Sequence, residues 1–250
     1  MLKAWGMKDI GKCRAINQDY IYVSEEPVGN LPNLFLVADG MGGHRGGDVA
    51  SEMAVSHLGY AFEKTDTAEI ESIVRWLIFE LQQENDVILQ KAKQYTDLSG
   101  MGTTVVAVII SGTRFVVANI GDSRGYLYRN GHLVQITEDH SLVNELVKHG
   151  ELTPEEAKRF PQRNVITRSL GVSSDVDADV TIYDMEYDDY LLLCSDGLTN
   201  MVDNEDIAAV LRQDMPIGSK AQELILKANA AGGPDNISAL IIHQDRREPQ

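Results

Sequence analysis

Residues 34–47 read LFLVADGMGGHRGG. Leu34, Phe35, Leu36 and Val37 form an apolar run that predicts a buried strand. The run leads straight into Asp39-Gly40 and then a glycine cluster at Gly42, Gly43, Gly46 and Gly47. A carboxylate at the end of a core strand stands on a rigid support, and the glycines let the backbone take positive φ and come close to a ligand. Taken alone the stretch is ambiguous, because Asp-Gly is also the commonest hairpin signal. Two nucleotide-binding motifs fail here. No Lys-Ser or Lys-Thr follows the glycines, so there is no P-loop. After Gly40-x-Gly42, the third position of a dinucleotide fingerprint is Arg45.

Outward from this stretch, Tyr20–Ser24 reads as a neighbouring strand. From Asp48 the period changes: Val49, Ala50, Met53, Ala54, His57, Leu58, Ala61 and Phe62 recur at helical spacing. A second helix is expected to start near Asp66, with Glu69 completing a capping box, and to run until Gly100 and Gly102 break it. Short strands are predicted at Thr103–Ile110, Arg114–Asn119, Arg124–Tyr128 and His132–Ile136, with turn-like links that predict antiparallel neighbours. Residues 141–160 predict two short helices, the second opening Thr153-Pro154-Glu155-Glu156 with a cap, a first-turn proline and a capping glutamate. Residues 161–176 read as irregular loop. Strands at Ala178–Tyr183 and Tyr190–Cys194, helices near Asp203–Arg212 and Ser219–Ala231, and a last strand at Ile237–His243 complete the pattern. Helix pairs around many antiparallel strands predict one α+β domain in which two sheets pack face to face with helices outside.

The chain has 250 residues, enough for one large domain, and a formal net charge of −16. Such a surface argues against nucleic acid or anionic membrane as a main partner. No apolar run reaches the roughly 18 residues that span a membrane, and the first residues lack a signal peptide's apolar core. A soluble cytoplasmic protein is therefore expected. Cys13 and Cys194 are the only cysteines. Neither has an arginine six positions later, so thiol-based phosphatase chemistry is absent, and Cys194, in an apolar run, is expected to be a buried thiol.

Asp39 has company. Asp122 ends Phe115–Asp122, Asp196 follows Tyr190–Ser195, Asp235 precedes the last strand, and Asp19 precedes Tyr20. Each alone is as well explained as a turn or cap residue. If their strand ends converge, cations must neutralise them. Oxygen-only donors, with the carbonyls of Gly40 and Gly121 within the motifs, select Mg²⁺ or Mn²⁺ over zinc or copper. Near a metal pair, Arg14 would be a bidentate phosphate clamp. His44 fits a structural hydrogen bond or acid catalysis.

The ordered series Arg14-x-x-Asn17-Gln18-Asp19, Val37–His44, Gly102-Thr-Thr104, Asn119–Arg124, Asp139-His140-Ser141, Ser195-Asp-Gly197 and Gly233-Pro-Asp-Asn236 resembles the bacterial form of the metal-dependent type 2C protein serine/threonine phosphatases. The resemblance spans nearly the whole chain. It implies a four-layer α-β-β-α sandwich of two antiparallel sheets flanked by helix pairs. It implies a single catalytic domain over 1–245, with a mobile flap at about 141–176 that governs substrate choice, and a polar tail at 246–250. It implies that Asp39 bridges two Mn²⁺ or Mg²⁺ ions, joined by the Gly40 carbonyl, with Asp196 and Asp235 completing the first site. Asp19 would support the second site through water. Asp122, the Gly121 carbonyl and Asp196 match a third site, and Arg14 matches the phosphate-binding arginine. Gln18 departs from the family, where many members carry Glu, and is expected to weaken the second site. Met41 departs from eukaryotic members that carry a candidate acid histidine there, which leaves the general acid open between His44 and a metal-bound water.

The implied activity is hydrolysis of phosphoserine and phosphothreonine in proteins by metal-activated water, reversing a bacterial Ser/Thr kinase of eukaryotic type. A monomer is expected. Two rivals are a catalytically dead module that only binds phosphoproteins, and a metal-dependent hydrolase of small phosphorylated metabolites. Every proposed ligand being intact argues against the first; an open cleft would argue against the second.

Overall fold

The computed structural model describes residues 2–24, 32–43, 45–66 and 68–245. The strands are β1 Leu2–Asp9, β2 Asp19–Val23, β3 Asn33–Met41, β4 Gly102–Thr103, β5 Val105–Ser111, β6 Arg114–Ile120, β7 Arg124–Arg129, β8 His132–Gln135, β9 Asp179–Asp184, β10 Tyr190–Cys194 and β11 Ile237–Gln244. The helices are α1 Gly46–Lys64, α2 Ile70–Gln94, α3 Leu142–Lys148, α4 Pro154–Ala157, α5 Asp196–Thr199, α6 Asn204–Arg212 and α7 Ile217–Ala230. One sheet runs β1-β11-β10-β7-β8 and the other β2-β3-β5-β6-β9, with β4 paired to β3; every ladder is antiparallel.

The apolar runs of the central strands follow from the layering. Alternate side chains of a strand point to opposite faces. In β3, Leu34, Leu36 and Ala38 join the core under α1 and α2, while Phe35 and Val37 join the core between the sheets. β5 and β6 divide in the same way. Across the molecule, Leu192, Cys194, Ile237, Ala239 and Ile241 pack beneath α6 and α7, while Leu191, Leu193, Leu240 and Ile242 fill the space between the sheets. A strand buried on both faces has few positions for a polar side chain, so it reads as a nearly continuous apolar run. The expected four-layer sandwich is present, and Cys194 is fully buried.

Four expectations are corrected. β1 escaped the sequence reading because, as an edge strand, it lacks a continuous apolar run; its full-length ladder with β11 defines it. The capping box at Asp66 and Glu69 does not form: α2 starts at Ile70, after Glu69, with no side-chain cap, and Ile70 enters the core there. The predicted strand Thr103–Ile110 splits at Thr104. The short link between β6 and β7 does not make neighbours; it carries the chain from one sheet to the other. That crossing depends on Gly121, at φ +108, where a Cβ would lie 2.5 Å from Cγ2 of Thr104.

The capping box at Thr153 and Glu156, with Pro154 at the first turn, forms as expected. It lies in the segment of α3, α4 and irregular chain at residues 141–176. That segment is pinned at its base by the bridges Ser141↔Ile166 and Thr103↔Leu170. Its exit is held by α2. Asn85, fully buried, accepts from the Gly171 N–H at 2.8 Å through Oδ1 and donates to the Ser173 carbonyl at 2.8 Å through Nδ2. Gln82 accepts from the Val176 N–H at 3.0 Å and donates to the Ser174 carbonyl at 2.9 Å. Asn85→Ala would strand a buried donor and an acceptor, which costs about 1–3 kcal/mol per group. Urea denaturation is expected to register a loss of at least about that size, with hydrogen exchange rising most over residues 169–176. An unchanged midpoint would remove Asn85 from this role.

Candidate metal centre

The site lies where strand ends of both sheets meet. Asp19 opens β2 directly opposite Asp39 in the β2–β3 ladder. Asp122 sits in the crossing link, Asp196 opens α5 at the end of β10, and Asp235 precedes β11. The β3 end is fixed by Thr104, which interrupts the strand opposite it: its Oγ1 accepts from the Asp39 N–H at 3.0 Å and its own N–H donates to the Asp39 carbonyl at 2.9 Å. Gly40, Gly46 and Gly47 serve close packing. A Cβ on Gly40 would lie 2.0 Å from the Gly47 carbonyl oxygen, so only glycine lets α1 start against the end of β3.

All five carboxylates come together. Burial first, then repulsion from Asp19, Asp196, Asp122 and Asp235, holds the Asp39 carboxyl well above the usual carboxylate range. Asp19 is fully buried. Its Oδ2 accepts from Ser195 and Ser238 hydroxyls, each at 2.7 Å. Burial pushes it up to about 6 even against those two bonds. Burial pushes Asp122 up to about 8, with repulsion from Asp196 and Asp139 adding to it. Asp196 rises to about 6 through burial and then repulsion from Asp235, although Asn200 Nδ2 donates to it at 2.9 Å. Asp235 is compensated directly: Arg14 Nη2 donates to its Oδ2 at 2.7 Å and the Asn236 N–H to its Oδ1 at 2.8 Å. Arg14, Asp39, Gly40, Asp196 and Asp235 line one pocket of about 240 Å³.

The donor set fits a hard divalent cation. It contains only oxygen, and Asp19 Oδ1 and Asp122 Oδ1 are buried with no hydrogen-bond partner. A buried carboxylate oxygen without a donor is costly unless a cation or proton takes it. Among the described residues no three acidic, imidazole or thiol side chains already close around one point, so the fit rests on donor type, burial and these orphan oxygens. The Gly121 carbonyl, placed by the sequence in a third site, accepts from the His140 N–H at 2.9 Å and from Asn119 Nδ2 at 3.3 Å. Any cation there would share it with protein donors. The Gly121 N–H donates in turn to His140 Nδ1 at 3.2 Å, which accounts for the histidine of Asp139-His140-Ser141. Gln18 lines the pocket with its Nε2 buried and unpaired. His44 lies outside the described residues.

Sequence reasoning gave no role to the groups that hold the carboxylates. Ser195 and Ser238 grip Asp19. Asn236 accepts from the Gln18 N–H at 2.8 Å and donates to the carbonyls of Ile10 and Ile16 at 2.9 and 3.0 Å. Ser238, a polar residue inside an apolar strand, was the available signal. Arg124 grips Asp139 through both carboxylate oxygens, the shortest contact being 2.6 Å.

Residues 12–229 match the family model described as Protein phosphatase 2C. A relative named serine/threonine phosphatase stp, from Listeria monocytogenes, is 46% identical over 238 residues, covering 95% of this chain and 94% of that protein. The solved serine/threonine phosphatase of S. agalactiae superposes with a TM-score of 0.93 at 44% identity, covering 98% of this chain and 100% of that one. The catalytic domain of the serine/threonine protein phosphatase PstP, solved in complex with two manganese ions, gives 0.84 at 35% identity over 97% of each chain. The chain belongs to the protein phosphatase 2C family, metal-dependent enzymes that hydrolyse phosphoserine and phosphothreonine. Within it, the protein is a serine/threonine phosphatase of the bacterial type.

The raised carboxyls carry a pH signature. A group whose folded pKa lies above its unfolded value stabilises fully below the unfolded value, near 4, and loses that contribution as pH rises through the folded value. In chelator, the melting temperature is therefore expected to fall between pH 5 and pH 8.5, by roughly 5 °C or more. Mn²⁺ should raise it more at pH 8 than at pH 5.5, where protons compete. Asp39→Asn should flatten both trends; scanning calorimetry giving equal slopes for wild type and variant would contradict this origin.

Proposed function

We propose that Asp39 would be the ligand shared by two divalent cations, Mn²⁺ or Mg²⁺, which the Gly40 carbonyl, Asp196 and Asp235 would help to hold. Asp19, directly opposite Asp39 in the β2–β3 ladder, would support the second site through water. Asp122 and Asp196, with the shared Gly121 carbonyl, offer a third. The observation that carries this reading is the convergence of Asp39, Asp196 and Asp235 with Arg14 in one pocket. The two manganese ions in the PstP structure support the metal assignment.

When bound, a pair of divalent cations acidifies water enough to attack phosphorus at neutral pH and withdraws charge from the phosphoryl oxygens. The chain's own residues do the rest. Arg14, whose side chain is 51% exposed and held by Asp235, presents its remaining N–H groups to the phosphoryl group and neutralises charge as it develops. Thr104 keeps Asp39 on the strand axis. Ser195 and Ser238 hold Asp19 in one orientation through its Oδ2. No side-chain nucleophile takes part, in keeping with the buried thiol of Cys194.

The substrates are phosphoserine and phosphothreonine in proteins, phosphorylated by a bacterial kinase of eukaryotic type whose signalling this enzyme reverses. Protein substrates are favoured over small metabolites because the metal pocket continues into a groove of about 720 Å³ through the shared residues Asp122, Asn164 and Asp196. The enzyme acts as a monomer in the cytoplasm. Among the described residues no helix is long and apolar enough to cross a membrane.

Phosphate release from a phosphothreonine peptide tests the reading. Excess chelator is expected to abolish turnover. Asp39→Asn should cost more than the roughly 10–100-fold typical of groups that only orient a ligand. Arg14→Ala removes charge-assisted bonds and should lower kcat/KM by about 10- to 100-fold. A folded protein with no turnover in any divalent metal would leave the phosphoprotein-binding module as the better account.

A further inference from the structure

The groove beyond the metal pocket has a charge pattern that the hydrolytic step does not use. It runs between the flap, residues 141–176, and the segment from α5 to the start of α6. Val143, Val147 and Ala157 form an apolar wall on the flap side, faced by Met201 and Val202. Three carboxylates outside the metal centre border it, and each is already compensated. Asp139 is gripped by Arg124 at 2.6 Å. Asp206 pairs with Lys227 at 2.9 Å. Asp203 caps α6 by accepting from the Asp206 N–H at 2.9 Å, at the positive end of that helix.

The groove's cations are different. Lys158 and Arg163 both line it. Among the described residues neither has a carboxylate partner. Arg163 Nη1 donates to the Lys158 backbone carbonyl at 3.1 Å, which fixes the two side by side without neutralising either. Of the three cations that border the groove, Arg124 is held by Asp139, whereas Lys158 and Arg163 are left without a carboxylate. Lys158 and Arg163 are both solvent-exposed, so a charge interaction made there is modest and salt-sensitive.

We propose that Lys158 and Arg163 form a subsite for an anionic side chain of the substrate, a carboxylate or a second phosphate, close to the phosphorylated residue. The proposal rests on the protein phosphatase reading above and adds a selection rule to it. The groove's continuity with the metal pocket makes the substrate's own flanking residues its occupant. Outside the metal centre, Lys158 and Arg163 are the charges of the groove wall with neither an ionic nor a capping partner, so the flank complementary to them is negative.

The test uses the full chain loaded with Mn²⁺ and phosphothreonine peptides that differ only in the flank. These carry two glutamates before or after the phosphothreonine, a second phosphoserine, two glutamines or two lysines. Wild-type kcat/KM is expected to rank glutamate above glutamine above lysine, by about 1.5- to 5-fold per charge at low salt. The advantage should fade as salt is raised towards 0.5 M. The double variant Lys158→Glu, Arg163→Glu should invert the ranking, and the single variants Lys158→Gln and Arg163→Gln should halve the spread. The unphosphorylated glutamate peptide should inhibit wild type more strongly than the glutamine peptide. Equal activity on the glutamate and second-phosphate peptides would identify carboxylate charge as sufficient; a preference only for the second phosphate would identify the phosphate group as the ligand. Wild-type indifference to the flank, or variants that slow every peptide by the same factor, would overturn the subsite. No release from any peptide would instead overturn the phosphatase reading itself.

Discussion

Everything in this molecule answers to the repulsion among Asp19, Asp39, Asp122, Asp196 and Asp235. Carboxylates in a poorly solvated space resist ionisation, and the raised pKa of four of them measures that resistance. The protein supplies only partial relief: hydroxyls on Asp19, an amide on Asp196, a guanidinium on Asp235. On the metal-centre reading proposed above, the remaining negative potential would draw in divalent cations. A fully neutralised cluster would be more stable and would bind metal less strongly. Stability and function therefore draw on the same charges in opposite directions.

The sandwich is what holds such a cluster rigid. Each central strand is gripped from both faces, by helices on one side and by the other sheet on the other. Strand ends in that setting cannot drift apart to ease repulsion. Contacts too close for any side chain add to this, as where Gly40 meets Gly47 at the start of α1. Gly40 and Gly47 are thus a packing device as well, while Gly40 and Gly42 also line the pocket.

The flap is joined to the same framework. Asn85 on α2 holds Gly171; the adjacent Leu170 pairs with Thr103; Thr103 pairs with Gly40 and donates to the Asp39 carbonyl at 3.0 Å. The segment that borders the substrate groove and the strand end that carries Asp39 thus share one hydrogen-bonded path.

The sequence by itself determined a good deal. Apolar runs and their changes of period located nearly all the helices and strands, because burial on two faces leaves its mark on every residue. The five aspartates stood out because an acid at the end of a core strand is a local contradiction. The pairing of β1 with β11, the splitting of the strand at Thr104 and the crossing at Gly121 were not legible, since each depends on a partner distant in the chain. The role of Ser238 was hidden for the same reason: a serine in a strand means nothing until Asp19 stands opposite it. Only the tertiary structure decided that the carboxylates share one space, because convergence is a property of how two sheets stack. Sequence fixes which groups a strand end carries, but proximity is decided by the packing of strands far apart in the chain.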